Sequence, residues 1–360
     1  MKLGILGAGQ LARMLALAGY PLGLRFTAFD PAKEACASDV CPVVCAAYED
    51  EAALKAFAES VDCVTFEFEN VALESARYLE QFVPVFPSSR ALEATQDRLD
   101  EKNMFRGLGV ETPGFEPINT KEDILKAAES LGLPLVVKTR RFGYDGKGQF
   151  VLRSLDQAEQ LWAELGSVPL IAEAFVPFDR EVSIVAVRSQ QGDMRFYPLT
   201  ENEHRNGILH KSVPLVDDPM TAQAQQYVAT LMESLDYVGT LALELFQVGD
   251  RLLANEFAPR VHNSGHWTIE GAETSQFENH VRAVAGIPLG DTRAVEFSTM
   301  INLIGDFPDR GVIQNVDGAH FHDYGKSPRA GRKIGHITIT ANSTELLSER
   351  VSAVVDVMKV

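Results

Sequence analysis

The chain has 360 residues, 46% hydrophobic and 23% charged, a globular balance too long for one ordinary core, so two or three domains are expected. Acidic residues outnumber Lys and Arg by 50 to 33, and the resulting charge of -17 argues against nucleic acid or anionic membrane as a partner unless basic residues gather locally. No uninterrupted run of about 18 apolar residues and no signal peptide is visible, which reads as a cytoplasmic protein.

Lys2 to Leu6 reads as a strand, Gly7-Ala8-Gly9 as a tight turn and Gln10 to Ala18 as a helix. A second strand, Arg25 to Phe29, ends at Asp30. The glycines and the acid together resemble a dinucleotide fingerprint. Three readings stay open: a nicotinamide site, a plain strand-to-helix turn, or a seat for another ligand's phosphate at the helix N-terminus. Cys36, Cys41, Cys45 and Cys63 form no CxxC pair and have no neighbouring His, so they read as small buried hydrophobes in a reduced protein. A helix from Tyr48 to Glu59 and a strand from Val61 to Phe68 continue the alternation, which argues for a parallel sheet covered by helices. A strand from Phe82 to Phe86 and a helix from Ser89 to Leu108 follow.

The next unit reads as helix Lys121 to Leu131, strand Leu135 to Lys138, a loop from Gly143 to Gly148 and strand Gln149 to Leu152. Lys138, Arg140, Arg141 and Lys147 concentrate positive charge around three glycines in an acidic chain. Pliable backbone amides with cations suit a triphosphate that must be covered during reaction, although no GK[ST] of a P-loop follows. Helix Asp156 to Leu165 and strand Leu170 to Ala174 come next. A hairpin of Glu181 to Arg188 with Arg195 to Pro198 and a helix from Thr221 to Leu235 follow.

Thr240 to Gln247 and Leu252 to Phe257 read as a hairpin turning near Gly249-Asp250. A register centred on position 250 sets Glu244 opposite Glu256, with beta carbons roughly 4.5 to 5.5 Å apart. Two such carboxylates call for a cation between them, and Mg²⁺ suits carboxylates shared with phosphates. A slip of one residue would instead leave them as rim glutamates. Phe257 to Trp267 then packs Arg260, His262, Asn263, Ser264 and His266 into one loop, a density that serves a ligand. His262 and His266 lack the thiolates or HExxH frame of a zinc site. From Phe297 onward short strands and turns suggest a small C-terminal unit packed on the rest.

These stretches resemble the ATP-grasp superfamily, and closely resemble the N5-carboxyaminoimidazole ribonucleotide synthase family. The matching runs are Gly7 to Leu11, Thr65 to Asn70, Gly143 to Gln149, Glu201 to Leu209, Asn255 to Trp267 and Gly331 to His336. Phe142 stands where such relatives often carry a further glycine. The resemblance implies a mixed α/β and α+β molecule with an ATP-grasp fold. Its domains would be an N-terminal Rossmann-like (pre-ATP-grasp) domain over 1–97, the ATP-grasp domain over 98–295 with a glycine-rich lid at about 114–182, and a small C-terminal domain over 296–360.

The implied activity is carboxylation of 5-aminoimidazole ribonucleotide with ATP and bicarbonate in purine biosynthesis. The protein would be a homodimer, with Mg²⁺, or Mn²⁺ in its place, as the metal. By the same resemblance Arg98, Lys138, Gly143, Tyr144, Asp145, Gly146, Lys147, Gly148, Gln149, Glu173, Ala174, Phe175, Val176, Glu181, His204, Asn255 and Glu256 would form the nucleotide site. Glu244 and Glu256 would hold the metal, and Arg260, Lys138 and Glu256 would carry the chemistry. Gln10, His262, Asn263, Ser264, Arg332 and Lys333 would face the ribonucleotide. The N-terminal turn would then hold no NAD. The nearest alternative is another ATP-grasp ligase, such as a formate-dependent glycinamide ribonucleotide transformylase.

Overall fold

The computed structural model describes residues 1–143 and 148–358. Strands β1 (Lys2–Leu6), β2 (Arg25–Asp30), β3 (Val43–Cys45) and β4 (Cys63–Phe66) form a parallel sheet in the order β3-β2-β1-β4. Helices α1 (Gln10–Gly19), α2 (Glu51–Glu59), α3 (Leu73–Leu79) and α4 (Ser89–Thr95) accompany it. Leu3 and Ile5 pack with Leu11 and Leu15 in one apolar layer, while Leu6, Val64 and Phe66 pack with Leu54, Phe57 and Leu79 in another. Burial on both faces is why these strands read as continuous apolar runs.

The expected strand over 82–86 is a turn that touches the sheet through a single bridge, Val64 to Val85. Pro84 and Pro87 remove the amides a ladder would need. The expected helix over 89–108 is broken in two. Asp97 accepts from the amide of Leu99 and starts α5 (Arg98–Gly107) afresh, while its carboxylate also binds Arg140.

A second sheet, order β5-β8-β6-β7, is antiparallel and joins β5 (Phe115–Ile118), β6 (Leu135–Thr139), β7 (Gln149–Leu152) and β8 (Leu170–Ala174). Ile124 of α6 (Lys121–Leu131) and Leu161 of α7 (Ala158–Leu165) cover its apolar face.

The third sheet has nine strands among the described residues, running β14-β13-β9-β11-β12-β15-β17-β16 with β10 paired to β9. They are β9 (Arg180–Arg188), β10 (Met194–Phe196), β11 (Thr200–Arg205), β12 (Ile208–Pro214), β13 (Gly239–Val248), β14 (Arg251–Ala258), β15 (Phe297–Ile304), β16 (Ala319–Asp323) and β17 (Lys333–Ala341). Between and after them come α8 (Thr221–Ser234), α9 (Thr268–Gly271), α10 (Gln276–Val284), α11 (Arg310–Gln314) and α12 (Thr344–Met358). The C-terminal segment therefore does more than pack on its neighbour. β15 pairs with β12 at Lys211–Ile301 and Ser212–Met300 and so extends the central sheet, and α12 is a helix of 15 residues.

Candidate active site

One cleft of about 1070 Å³ is lined by residues of the second and third sheets, by the start of α1 and by the segment that follows β4. At its floor lies the β13–β14 hairpin. The two-residue turn Gly249-Asp250 sets Val248 opposite Arg251, a register that alone would pair Glu244 with Asn255. A bulge after Glu244 adds one residue to β14, and Glu244 faces Glu256 instead. The opposed glutamates expected from the sequence are therefore present, by a turn and a bulge together.

Their charges are unequal. Burial alone would push the Glu256 carboxyl up, but Arg98, which bonds it directly, and Lys138 and Lys102 hold it down at about 2. Glu244 is pushed up to about 7 by burial and by Glu256. Beside them the side-chain oxygen of Asn255 is buried with no partner. An uneven carboxylate pair next to an orphaned carbonyl oxygen is a donor set for a hard divalent cation, so the residues fit Mg²⁺.

Lys138, on β6, meets Glu173 of β8 at 3.1 Å, and the same Glu173 oxygen lies 3.4 Å from Lys102. Lys102 is buried and donates to the carbonyls of Ala254 and Asn255, at 3.2 and 2.6 Å, tying α5 to the bulged strand. Glu101 accepts from the amide of Phe257 and is pushed up to about 8 by burial and by Glu256. Sequence reasoning missed Glu101 and Lys102, whose partners lie about 70 to 156 residues away.

Glu181 accepts or shares a proton with His204 Nδ1 at 2.6 Å. Gly143, Gly148, Gln149, Ala174, Phe175 and Val176 line the same end of the cleft, where Phe178 and Phe246 stack at 5.0 Å. Tyr144, Asp145, Gly146 and Lys147 lie outside the described residues. Phe142 has a φ of 62°, the left-handed region that glycine occupies most easily.

At the other end Arg260 lines the cleft, bound through Nε by Glu69 and donating from Nη1 to the Val261 carbonyl. His262, Asn263, Gln10, Arg332 and Lys333 line this half. Asn263 exchanges both amide bonds with Asn302, at 3.0 and 2.7 Å. Ser264 is placed differently from these. It is fully buried and bonds Ser183 and His262 rather than reaching the cleft, because the loop turns it inward at a short helical turn, Asn263–Gly265. Lys326 and Arg329 join the basic wall and were missed, though four cations between 326 and 333 in so acidic a chain were a legible signal.

The glycine turn at 7–9 also resolves. The Glu67 carboxylate accepts from the amides of Gly9 and, at 2.9 Å, Ala12, filling the α1 N-terminus that a dinucleotide phosphate would need. A beta carbon on Gly9 would stand 2.6 Å from that carboxylate. Asp30 is spent on the amides of Ala8 and Ala32 and on the Tyr48 hydroxyl. The two groups that would bind a nicotinamide dinucleotide are thus satisfied internally. No described helix is long and apolar enough to cross a membrane.

Residues 1–96 match the ribonucleotide synthetase preATP-grasp domain, 103–277 the ATP-grasp domain, and 298–350 the phosphoribosylaminoimidazole carboxylase C-terminal domain. The chain is 52% identical over 354 residues to the N5-carboxyaminoimidazole ribonucleotide synthase of Pseudomonas aeruginosa, covering 98% of each. It superposes with a TM-score of 0.95 on the crystal structure of N5-carboxyaminoimidazole ribonucleotide synthetase from Thermus thermophilus, at 52% identity over 99% of this chain and 98% of that one. The Aspergillus clavatus N5-carboxyaminoimidazole synthase, solved with ADP and 5-aminoimidazole ribonucleotide, gives a TM-score of 0.92 at 28% identity, covering 100% of this chain and 99% of that one.

Proposed function

The chain belongs to the N5-carboxyaminoimidazole ribonucleotide synthase family, and on that premise we propose how its residues divide the work. The protein is an ATP-dependent ligase that carboxylates 5-aminoimidazole ribonucleotide with bicarbonate, through carboxyphosphate. A bicarbonate oxygen bonds to the γ-phosphorus and ADP leaves. The exocyclic amine then takes the carboxyl group, directly or as CO₂ released in the cleft, and phosphate departs.

Lys138 and the loop at 143–149 bind the triphosphate, with Glu181 on the ribose hydroxyls and the backbone of 173–176 beside the base. Glu244, Glu256 and Asn255 would hold Mg²⁺, which supplies charge neutralisation at the phosphates. The free edge of Arg260 faces the transferring phosphoryl and carboxyphosphate, and Glu69 holds that guanidinium in place. Arg332 and Lys333, together with Lys326 and Arg329, receive the ribonucleotide phosphate opposite Gln10. No covalent nucleophile is required; positioning and preorganised charge carry the barrier.

The observation that carries this reading is the opposed pair Glu244 and Glu256 beside the unpartnered Asn255 oxygen, within a cleft that is cationic at both ends. The test is ADP release with bicarbonate plus 5-aminoimidazole ribonucleotide, against glycinamide ribonucleotide plus formate. ATP consumption is expected only with the first pair; stimulation only by the second overturns the reading.

A further inference from the structure

Behind the cleft runs a line of buried polar side chains that the proposed chemistry leaves unused. Ser212 donates to the Asn202 carbonyl oxygen at 2.7 Å, the Asn202 amide donates to Ser183 at 2.9 Å, and the Ser183 hydroxyl donates to Ser264 at 2.8 Å. Ser264 Oγ lies 2.9 Å from His262 Nδ1, and His262 Nε2 lies 3.2 Å from Glu244 Oε1. Ser183, Ser212 and Ser264 are fully buried and Asn202 is 6% exposed, so water cannot substitute for a missing partner.

Hydroxyls and a carboxamide can run such a line in either direction. One group cannot. The backbone N–H of Ser264 also points at His262 Nδ1, at 3.3 Å, and an amide only donates. Nδ1 must therefore be the lone-pair nitrogen, and a hydrogen there would meet the amide hydrogen head-on. With Nδ1 an acceptor, the Ser264 hydroxyl donates to it, Ser183 donates to Ser264, and every bond back to Ser212 takes its direction. The ring proton then sits on Nε2, aimed at Glu244.

We infer that this line fixes His262 as the neutral Nε2–H tautomer, so that it works as a hydrogen-bond donor to Glu244, with Ser264 the positioning residue that sets it. A donor at Nε2 cannot ligate a metal. His262 thereby stays out of the ligand set, which remains all oxygen and hard, while Glu244 is held with its other oxygen turned away from the ring. Burial, which disfavours the imidazolium here, agrees with a neutral ring.

The kinetic consequence rests on Glu244 being a metal ligand; the tautomer does not. Nitrogen-15 NMR of the full chain labelled at histidine is expected to show His262 neutral with the proton on Nε2, and an Nδ1–H or doubly protonated ring overturns the inference. Ser264→Ala removes the hydroxyl and keeps the amide, so the proton is expected to stay on Nε2 while the ring loses the side-chain bond that holds it against Glu244. The variant should also raise the Mg²⁺ concentration for half-maximal rate about tenfold, with metal-free ADP affinity held within twofold. An Nδ1–H ring in the variant, or an unchanged Mg²⁺ dependence, overturns the proposal. So does a loss of ADP binding in step with activity, which would make Ser264 a packing residue only. Glu244→Gln separates the two claims: unchanged Mg²⁺ dependence there removes the metal reading and leaves the wild-type tautomer to stand or fall by its own spectrum.

Discussion

Arg260 is held by two of its three nitrogens, Nε on Glu69 and Nη1 on the Val261 carbonyl, and that arrangement decides what a substitution does. Lysine offers a single point charge and cannot both satisfy Glu69 and fork toward two oxygens. Arg260→Lys is expected to lower kcat by about 10² to 10³, the cost of one preorganised donor. ADP affinity should change little, because the groups assigned to the base and ribose lie near Glu173 and Glu181. ADP titration and steady-state kinetics on one preparation check it; a kcat within threefold of wild type would leave Arg260 a loop anchor. Phe142 poses the opposite case. Its ring is 75% exposed and its φ is 62°, so the side chain contributes little and the backbone is strained. Phe142→Gly is expected to raise the stability of the β6–β7 sheet by about 1 kcal/mol, net of glycine's larger unfolded-state entropy. Limited proteolysis between β6 and β7 in urea would register the gain, and faster cleavage of the variant would contradict it.

The β13–β14 hairpin is the element whose sequence said most and least. Alternating apolar residues on either side of Gly249-Asp250 made the hairpin and its two acids legible. The bulge was not, since nothing local to Asn255 marks an extra residue; its support comes from Lys102 on α5, which holds the carbonyls of 254 and 255 from outside the hairpin. The same limit applies to Ser264, where composition gave the loop's purpose but not which side chain turns inward. In Glu256→Gln the opposed pair loses its permanent charge, and turnover is expected to vanish with the fold intact, as measured by kinetics beside circular dichroism.

With Mg²⁺ on the hairpin as proposed, Glu244 should make that binding depend on pH. Its carboxyl, pushed up to about 7, keeps its proton where an unfolded glutamate, titrating near about 4.3, has lost it. Its stabilising contribution is therefore greatest below the unfolded value, falls as pH rises toward 7, and is level above. Mg²⁺ must displace that proton below 7, so the rise in Tm on adding Mg²⁺ should be larger at pH 8 than at pH 6. Glu256 does not blur this window, because its own titration lies near 2. Equal Tm shifts at the two pH values would remove Glu244 from the ligand set.

Across the whole molecule, β15 is the seam that the sequence hid. Pro308, Gly311, Gly325 and Gly331 made the C-terminal segment look fragmentary, yet its strands run eight and nine residues in β15 and β17. Its final helix was signalled by Leu347, Val351, Val354 and Met358 at helical spacing. Met300 shares a core with Trp267, Tyr197 and Ala242, and Asn302 bonds Asn263 in the active-site loop. The ATP-grasp body and this segment should therefore unfold together. Calorimetry is expected to show one transition for the two, and a chain ending at residue 296 should aggregate, because the β12 edge and the Trp267 core lose their cover. A separate low-temperature transition would show the seam to be weak.

Glu67 leaves the amino-terminal domain carrying its own counter-anion where a dinucleotide enzyme keeps a vacancy. For inhibitor design this reverses the usual charge logic of such folds. A compound extended from the phosphate loop toward the first turn gains nothing from a terminal acid, which would meet a buried carboxylate already served by two amides. A neutral donor at that end suits the site better, and the same donor would find no acceptor at the open helix end of a nicotinamide-dependent enzyme. Selectivity against that large class is thus written into one buried glutamate.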